Sequence, residues 1–322
     1  MRSLTTFCGV IALGLFNVGA AQTLTPEEQL GKSIFFDTSL SIYGNQSCAD
    51  CHGPAVGWTG PIAGINSGGA VYEGSIAGRF GNRKPPSSAY ATPSPVLHAD
   101  KKGDFTGGNF WDGRATGEKL GHPAADQAQG PFLNPVEQAA PDLACIVHEV
   151  CSATYPVSFE QVWGAGQCDI AWPADVETVC ATLNGFVDLS ADDRAKAAQN
   201  YDSIALSIAA FEASPETNAF TSKFDAYLAK EANLTREEKI GLNLFKGKGK
   251  CSRCHTLKGN SKDEPLLTDF TYDNLGLPRN PDNPWYTQTQ FNPAGSSWID
   301  LGLGGFLQNQ IDYQLYAGAN LG

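Results

Sequence analysis

Two segments of the chain carry the same pattern of a polar cap followed by an apolar stretch. In the first, Thr25 supplies a hydroxyl cap and Pro26 occupies the first helical position. In the second, Thr235 and Glu238 have the spacing of a capping box. Each predicted helix leads through Leu, Ile and Phe residues to a Cys-x-x-Cys-His sequence. We therefore predict an internal repeat whose two halves share one fold.

The region between the two motifs is uneven in its patterning. Residues 53–95 are rich in glycine and proline, whose turn preferences leave little room for regular structure. Ordered loops of this length are usually functional. Residues 201–211, in contrast, have apolar side chains at helical spacing. We predict a core helix there and place the start of a second domain just before it, at residue 197.

The N-terminus has the order of charge, apolar run and small residues that is typical of a secretory signal. Arg2 precedes an apolar run over residues 7–16, and small residues follow at positions 19–21. The run is short for a membrane span, and no later stretch approaches the roughly 20 apolar residues that a span requires. We predict an exported, periplasmic protein with cleavage near Ala21 and no membrane span.

Composition and charge limit the classes of function that are open to the chain. A chain of 322 residues with 42% hydrophobic residues is long enough for two cores of about 150 residues each. The formal net charge of -12 argues against nucleic acid, because binding a phosphate backbone needs clustered Lys and Arg. The acidity has two interpretations: it suits a partner with a basic patch, or it serves solubility alone.

Both Cys-x-x-Cys-His sequences match the attachment motif of c-type haem, with Cys48, Cys51 and His52 in the first and Cys251, Cys254 and His255 in the second. Two thiols about one helical turn apart can bond to the haem vinyl groups, and the adjacent imidazole then ligates the iron. A single motif would also fit a redox dithiol or half of a zinc site. Two copies favour two covalently bound haems.

Four further cysteines lie between the motifs: Cys145, Cys151, Cys168 and Cys180. An even number in an exported chain predicts two disulfides, which would hold an insertion over about residues 141–185. Three pairings are open, and the sequence does not choose among them. A metal site that combines these thiols with His148 is an alternative, although oxidation would compete for the thiols.

With the motifs in place, the surrounding segments resemble the bacterial di-haem cytochrome c peroxidase and MauG superfamily. The resemblance runs from residue 31 to about residue 276. The blocks that carry it occur in the family's order, at residues 31–37, 110–115, 211–212 and 223–228.

The predicted fold is mainly α and loop-rich, with two cytochrome c-like haem domains and a disulfide-pinned insertion. Residues 1–21 form the signal, residues 22–196 the N-terminal domain with the Cys-rich insertion, and residues 197–322 the C-terminal domain. The resemblance implies that the first haem reacts with peroxide and that the second accepts electrons from a donor.

The resemblance also implies roles for four residues around the first haem. Glu137 corresponds to the family's acid-base glutamate, Gln127 to its distal glutamine and Pro131 to its distal-pocket proline. Trp111 corresponds to the tryptophan between the haems. These roles are chemically reasonable, because peroxide cleavage needs a proton moved between two oxygen atoms, which a carboxylate in a half-dry pocket can do. An aromatic side chain can likewise help an electron pass between haems.

The sequence departs from the family at three points. Its only methionine is Met1, and it ends about 67 residues after His255, so the family's usual methionine ligand of the second haem has no counterpart. Lys84 stands where the family has the asparagine of a bridging calcium site, which makes calcium doubtful. Residues 69–82 contain no histidine. We therefore predict an open coordination position on the first haem.

Three functions compete on this basis. The first is an enzyme that reduces hydrogen peroxide to water with electrons from a small periplasmic cytochrome c or cupredoxin. The second is a MauG-like di-haem oxidase that modifies Trp or Tyr of a protein partner. The third is a non-enzymatic di-haem electron carrier. Family members are often dimers, so the resemblance allows a homodimer without requiring one.

Overall fold

The computed structural model describes residues 23–257 and 264–308, and the predicted signal over residues 1–21 lies outside them. The described chain is mainly helical, as predicted. Its α-helices are α1 Pro26–Phe35, α2 Cys48–Cys51, α3 Ala63–Ser67, α4 Pro123–Ala128, α5 Gly130–Leu133, α6 Leu143–Ser152, α7 Phe159–Trp163, α8 Val176–Cys180, α9 Ala191–Ala213, α10 Lys223–Leu228, α11 Arg236–Lys246 and α12 Gly302–Gln308.

Regular structure outside the α-helices is sparse in the described residues. One antiparallel sheet pairs β1 His98–Ala99 with β2 Phe105–Thr106, so that His98 lies opposite Thr106. Short 3-10 helices complete the elements, at Thr38–Leu40, Pro54–Val56, Cys251–Arg253, Pro284–Thr287 and Gly295–Ser297. No helix in the described part of the chain is both long enough and apolar enough to cross a membrane.

The two predicted helix starts are confirmed, and both form complete capping boxes. The hydroxyl of Thr25 accepts from the backbone N–H of Glu28 at 3.3 Å, while the Glu28 carboxylate accepts from the Thr25 N–H at 2.6 Å. Thr235 and Glu238 make the same pair of bonds at the start of α11, at 3.2 and 2.6 Å. The repeat that the sequence indicates is therefore present at the level of the helix caps.

The main core forms where α1 crosses α9. Leu30 and Ile34 of α1 pack with Ile204 and Ile208 of α9, and all four are fully or almost fully buried. The helices approach closely because Gly31 has no side chain: a Cβ atom there would lie 1.8 Å from a backbone oxygen of α9. Helix α9 crosses residue 197, where the second domain is predicted to begin, and it packs on α1 of the predicted first domain.

Helices α6, α7 and α8 belong to the Cys-rich insertion, and two disulfides join its parts. Cys145 pairs with Cys180, and Cys151 pairs with Cys168. All four thiols are thus consumed in disulfides, so the alternative of a metal site with His148 is wrong. The imidazole of His148 instead packs edge-on against an indole ring, that of Trp172, with the ring centroids 4.9 Å apart.

Candidate haem sites

The first Cys-x-x-Cys-His motif forms a single helical turn that faces a pocket. Cys48 and Cys51 bound the short helix α2, and the backbone N–H of His52 donates to the Cys48 carbonyl at 2.9 Å. Both thiols are free of disulfides. The turn brings the two sulfur atoms and the imidazole into the lining of one pocket, which is the arrangement that covalent haem attachment requires.

The orientation of His52 suits an iron ligand. Its Nδ1 lies 3.2 Å from the backbone carbonyl oxygen of Trp58. A histidine that donates Nδ1–H to a carbonyl keeps Nε2 free as a metal ligand, and this second contact fixes the ring orientation. Burial lowers the pKa of His52, which favours the neutral imidazole that binds a metal.

The electrostatics of the two thiols argue against a redox dithiol. Burial, reinforced by the charge of Glu212, raises the pKa of Cys48. Burial and then the charge of Glu137 raise the pKa of Cys51 to about 12. Redox-active cysteines have lowered thiol pKa values, because the thiolate is the reactive form. The alternative of a thioredoxin-like site is therefore disfavoured at this motif.

The pocket holds about 1000 Å³ of space, counting the part that is open to solvent at its mouth. Apolar side chains from several elements contribute to its wall, among them Phe35 of α1 and Ile208 of α9. All four residues that the sequence assigns to the peroxide site line this same pocket: Trp111, Gln127, Pro131 and Glu137. Helices α4 and α5 carry Gln127 and Pro131, respectively.

Glu137 lies in the turn that follows α5. Its backbone N–H donates to the Asn134 carbonyl at 2.9 Å, and its own carbonyl accepts from the Ser75 N–H at 2.8 Å. Burial raises the pKa of the Glu137 carboxyl, while the cation of Arg114 and a hydrogen bond from Asn134 oppose the rise. The result is a carboxyl group in the pocket that is more basic than an ordinary glutamate, as an acid-base group near neutral pH needs to be.

Trp111 lies at the rim of the pocket and is 56% exposed. Its indole nitrogen donates to the backbone carbonyl of Lys84 at 2.8 Å. The Lys84 ammonium donates in turn to the Thr59 hydroxyl at 2.6 Å. The segment that carries Trp111 is therefore tied to the loop over residues 83–86, which also lines the pocket.

Charged side chains hold this rim together. Arg83 contacts Asp112 and Asp300, each at 2.6 Å, and Arg114 contacts Asp112 at 2.9 Å. The Arg114 guanidinium also lies over the ring of Phe110, 3.6 Å from its centroid. This network joins the residues on both sides of Trp111 to the C-terminal part of the described chain.

The second motif repeats the local geometry of the first. The backbone N–H of His255 donates to the Cys251 carbonyl at 3.0 Å, and its Nδ1 lies 2.9 Å from the Leu267 carbonyl oxygen. Both histidines thus present Nε2 as a ligand and use Nδ1 on a backbone carbonyl. Cys251, Cys254 and His255 are all exposed, unlike their counterparts in the first motif.

A second apolar pocket of about 960 Å³ lies beside this motif. Leu267, whose carbonyl contacts His255, lines the pocket, and so does Phe245, whose ring centroid is 6.4 Å from that of His255. Aromatic and aliphatic walls next to a free pair of thiols and an oriented imidazole fit a c-type haem. The residues present therefore fit one haem at each motif.

Comparison with known proteins decides the family. A family model described as di-haem cytochrome c peroxidase matches residues 25–233, which is more than half of the chain. The chain belongs to the di-haem cytochrome c peroxidase family.

Relatives within this family carry two kinds of name. The chain is 32% identical to the methylamine utilization protein MauG of Paracoccus denitrificans, over 88% of this chain and 65% of that protein. It is 28% identical to the cytochrome c551 peroxidase of Nitrosomonas europaea, over 80% of this chain and 58% of that protein. The chain therefore spans about three fifths of the length of these relatives.

A solved structure of the same family supports the fold. The di-haem peroxidase BthA of Burkholderia thailandensis superposes with a TM-score of 0.68 at 28% identity. The match covers 90% of this chain and 62% of that one. Both comparisons agree with the di-haem peroxidase resemblance that the sequence blocks indicate.

One buried carboxyl group in the first pocket, that of Glu212, is not predicted from the sequence. Glu212 of α9 is 3% exposed and lines the first pocket. Burial raises the pKa of its carboxyl to about 8, although a hydrogen bond with Ser88 acts in the opposite direction. Glu212 belongs to a block that carries the resemblance, but no local signal shows that its side chain is buried. The apolar residues before it in α9 are the only sequence cue.

Proposed function

We propose that this chain is a di-haem peroxidase that reduces hydrogen peroxide to water with electrons from a small redox protein. One turnover consumes one peroxide, two protons and two electrons, and it yields two water molecules. Bound haem supplies the iron centres that exchange electrons with peroxide and with the donor. The observation that carries the proposal is that Glu137, a carboxyl with a raised pKa, lines the same pocket as Cys48, Cys51 and His52.

The chain's own residues hold the cofactors in this proposal. Cys48 and Cys51 bond the first haem and His52 ligates its iron, while Cys251, Cys254 and His255 do the same for the second. No histidine occurs over residues 69–82, so we expect an open position on the first iron. Magnetic resonance of the oxidised protein would then show a high-spin signal, and two low-spin haems would contradict it.

Glu137 is the proposed acid-base group. It would take a proton from one peroxide oxygen and return it to the other oxygen, which leaves as water. The Arg114 cation favours the charged carboxylate and so prepares Glu137 to accept a proton. Gln127 and Pro131 border the same space and restrict the water that can compete for the carboxylate. Trp111, at the rim, offers a path for electrons that arrive from the second haem.

The setting of the reaction is part of the proposal. The protein is exported to the periplasm, where a small cytochrome c or cupredoxin donates the electrons. Two cytochrome c-like domains, over residues 22–196 and 197–322, each hold one haem. The name of one relative, cytochrome c551 peroxidase, supports a small cytochrome as the electron donor.

Replacing the acid-base group tests the proposal. The haem-loaded full chain and its Glu137→Gln variant are assayed for peroxide turnover with a reduced cytochrome c. General acid-base catalysis typically contributes 10²–10⁴-fold to a rate, so we expect the variant's peroxide turnover to fall by at least about 100-fold. Mass spectrometry should show that both haems are still attached to the variant. Glu118→Gln, which changes an exposed carboxylate, is the matched control and keeps full turnover. Equal turnover in the Glu137 and Glu118 variants would refute the role of Glu137.

A second candidate is a MauG-like oxidase, and two observations favour it. The chain is 32% identical to a MauG protein, and the rim tryptophan Trp111 is 56% exposed, where it can take electrons from a protein bound at the surface. Such an oxidase has to store the two oxidising equivalents of peroxide until its substrate binds. The experiment adds one equivalent of peroxide, waits, and then counts the electrons accepted from reduced cytochrome. Equivalents that persist for minutes support the oxidase, whereas rapid loss supports the peroxidase.

A further inference from the structure

The 19-residue stretch that contains the second haem motif has a charge opposite to that of the whole chain. The sequence has 34 acidic and 22 basic residues, yet residues 239–257 contain no acidic residue at all. Five basic residues fall in this stretch: Lys239, Lys246, Lys248, Lys250 and Arg253. We call these five side chains the basic surface.

Each member of the basic surface is exposed. None of the five is in an ion pair with another residue that the structure describes. Two basic residues outside the basic surface do form ion pairs. Lys223 of α10 pairs with Glu238, and Arg83 at the rim of the first pocket pairs with two aspartates. The positive charge of the basic surface is therefore not neutralised by an ion pair with any residue that the structure describes.

The basic surface adjoins the exposed haem motif. Lys250 directly precedes Cys251, and Arg253 lies between Cys251 and Cys254. On the neighbouring helix α11, Ile240 and Leu244 are one turn apart and remain 49% and 51% exposed. An apolar centre with a charged rim is the usual anatomy of a protein–protein interface.

Helix electrostatics do not account for the charge. Lys246 lies in the last turn of α11, where a cation favours the helix dipole, but Lys248 and Lys250 lie beyond the helix in a loop with glycines. Asp273, 3.4 Å from the Cys254 sulfur, and Asp269 lie beside the motif. Neither aspartate forms an ion pair with a member of the basic surface in the part of the chain that the structure describes.

The first pocket shows no comparable excess of positive charge. Arg83, Lys84 and Arg114 line it together with three glutamates, so its cations and carboxyl groups are equal in number. Complementary charge steers an encounter, so an acidic protein is attracted by the basic surface at the second motif.

We propose that the basic surface docks an electron donor with an acidic face and thereby delivers electrons to the second haem. The partner is a small redox protein with carboxylates around its own electron-transfer edge. In each encounter the reduced donor loses one electron and the ferric second haem gains it, and two encounters supply the two electrons of one turnover. This inference rests on the proposed peroxidase, in which the second haem is the entry point for electrons.

Reduction kinetics without peroxide test the docking directly. The oxidised, haem-loaded full chain is mixed by stopped flow with either of two reduced monohaem cytochromes c, one of strongly negative and one of strongly positive net charge. We expect the acidic cytochrome to reduce the protein faster than the basic one does. The rate with the acidic cytochrome should fall at least tenfold between 10 and 300 mM salt, because the Debye length shrinks across this range. Electrostatic steering changes association rates by 10–10³-fold.

A matched pair of double variants locates the surface. Lys248→Gln with Lys250→Gln removes two charges beside the second motif, and Lys101→Gln with Lys102→Gln removes two charges from another exposed loop. At low salt we expect the first pair to slow reduction by the acidic cytochrome about three- to tenfold. The second pair should leave the rate within about 1.5-fold of the parent.

The outcomes separate this inference from the proposed function. Preference for the basic cytochrome, or equal loss in the two double variants, would overturn the docking surface. Peroxide turnover supported by an uncharged chemical reductant would then still uphold the peroxidase. Salt-sensitive reduction by the acidic cytochrome without any reaction with peroxide would support the docking surface and refute the peroxidase.

Discussion

The indole nitrogen of Trp111 lies 2.8 Å from the backbone carbonyl oxygen of Lys84 and donates a hydrogen bond to it. This bond fixes an exposed aromatic ring at the rim of the first pocket. If electrons reach the pocket through that ring, its position matters as much as its chemistry. The pair therefore links the shape of the rim to the rate at which electrons arrive.

We expect Trp111→Phe to slow electron transfer between the haems by at least tenfold, because the ring becomes smaller and loses its bond to Lys84. The measurement is stopped-flow absorbance of the fully reduced protein mixed with one equivalent of peroxide, which follows oxidation of the second haem. Trp298→Phe, at a tryptophan that does not line the pocket, is the control. Indistinguishable rates in the two variants would remove Trp111 from the electron path.

The pH dependence of turnover should report Glu137. Burial raises the pKa of this carboxyl above the ordinary value of about 4.5, and a general base has to be ionised before it can accept a proton. We expect kcat/KM for peroxide to rise with pH through this raised pKa. The Glu137→Gln variant should show a low and flat profile over the same range. A parent profile as flat as that of the Glu137→Gln variant would contradict the assignment.

Glu212 should make the protein less stable as pH rises. Its carboxyl has a pKa of about 8 in the fold against an ordinary value of 4.5, so the neutral form is favoured. The stabilisation is complete below pH 4.5 and is lost as the pH rises to 8. Since one pKa unit corresponds to about 1.4 kcal/mol, the loss approaches roughly 4–5 kcal/mol.

Chemical denaturation of the haem-loaded protein at pH 5.5 and 8.5 measures this effect. Glu212→Gln removes the charge but keeps the shape, so we expect its free energy of unfolding to change much less between the two pH values. Glu216→Gln, at a partly exposed residue paired with Lys32, should behave like the parent. A Glu212 variant with the parent's full pH dependence would show that other groups are responsible.

Two equivalent glycines should respond in opposite ways to substitution. Gly31 and Gly241 each lie six residues after a threonine cap, Thr25 and Thr235. A Cβ atom on Gly31 would collide with the backbone of Ser207, whereas nothing lies within 4 Å of a Cβ on Gly241. We expect Gly31→Ala to destabilise the fold by about 3 kcal/mol. Gly241→Ala should stabilise it by about 0.5–1 kcal/mol through helix propensity, and thermal unfolding of both variants distinguishes the signs.

Each disulfide should contribute to the free energy of unfolding according to the length of the chain segment that it closes into a loop. Cys145–Cys180 spans 35 residues and Cys151–Cys168 spans 17. Loop-closure entropy predicts roughly 4 and 3 kcal/mol for them. We expect paired Cys→Ser variants to lower the free energy of unfolding in that order, as measured by denaturant titration. A larger loss for the shorter loop would show that local packing, rather than chain entropy, dominates.

The elements that the sequence predicts best are those whose signals are local. The caps at Thr25 and Thr235 lie within four residues of the groups that they bond, so pattern and structure agree. The turn that carries each haem-motif histidine is also built locally, by a bond from the histidine's backbone N–H to the first cysteine's carbonyl. Short helices such as α5 and α7 escape periodicity analysis because they contain barely one turn.

Features that depend on contacts between distant parts of the chain could not be predicted from the sequence. Helix α9 begins at Ala191 with Ser190 as its cap, ten residues before the predicted helix, because its first turns are mostly polar and show little periodicity. The disulfide pairing depends on how α6 and α8 pack, which spacing alone does not determine. Glu212 is buried only because α9 turns that face towards the first pocket.

The cysteines described earlier impose a sequence of events on maturation. Four of them end as two bridges, while in the proposed di-haem protein Cys48, Cys51, Cys251 and Cys254 would have to stay reduced until each pair receives its porphyrin. A compartment oxidising enough to close the bridges could also join the two thiols of each motif, which are three positions apart. Maturation of the proposed protein would then depend on the relative rates of thiol oxidation and porphyrin attachment, and a single misdirected disulfide at either motif would leave the chain one iron short.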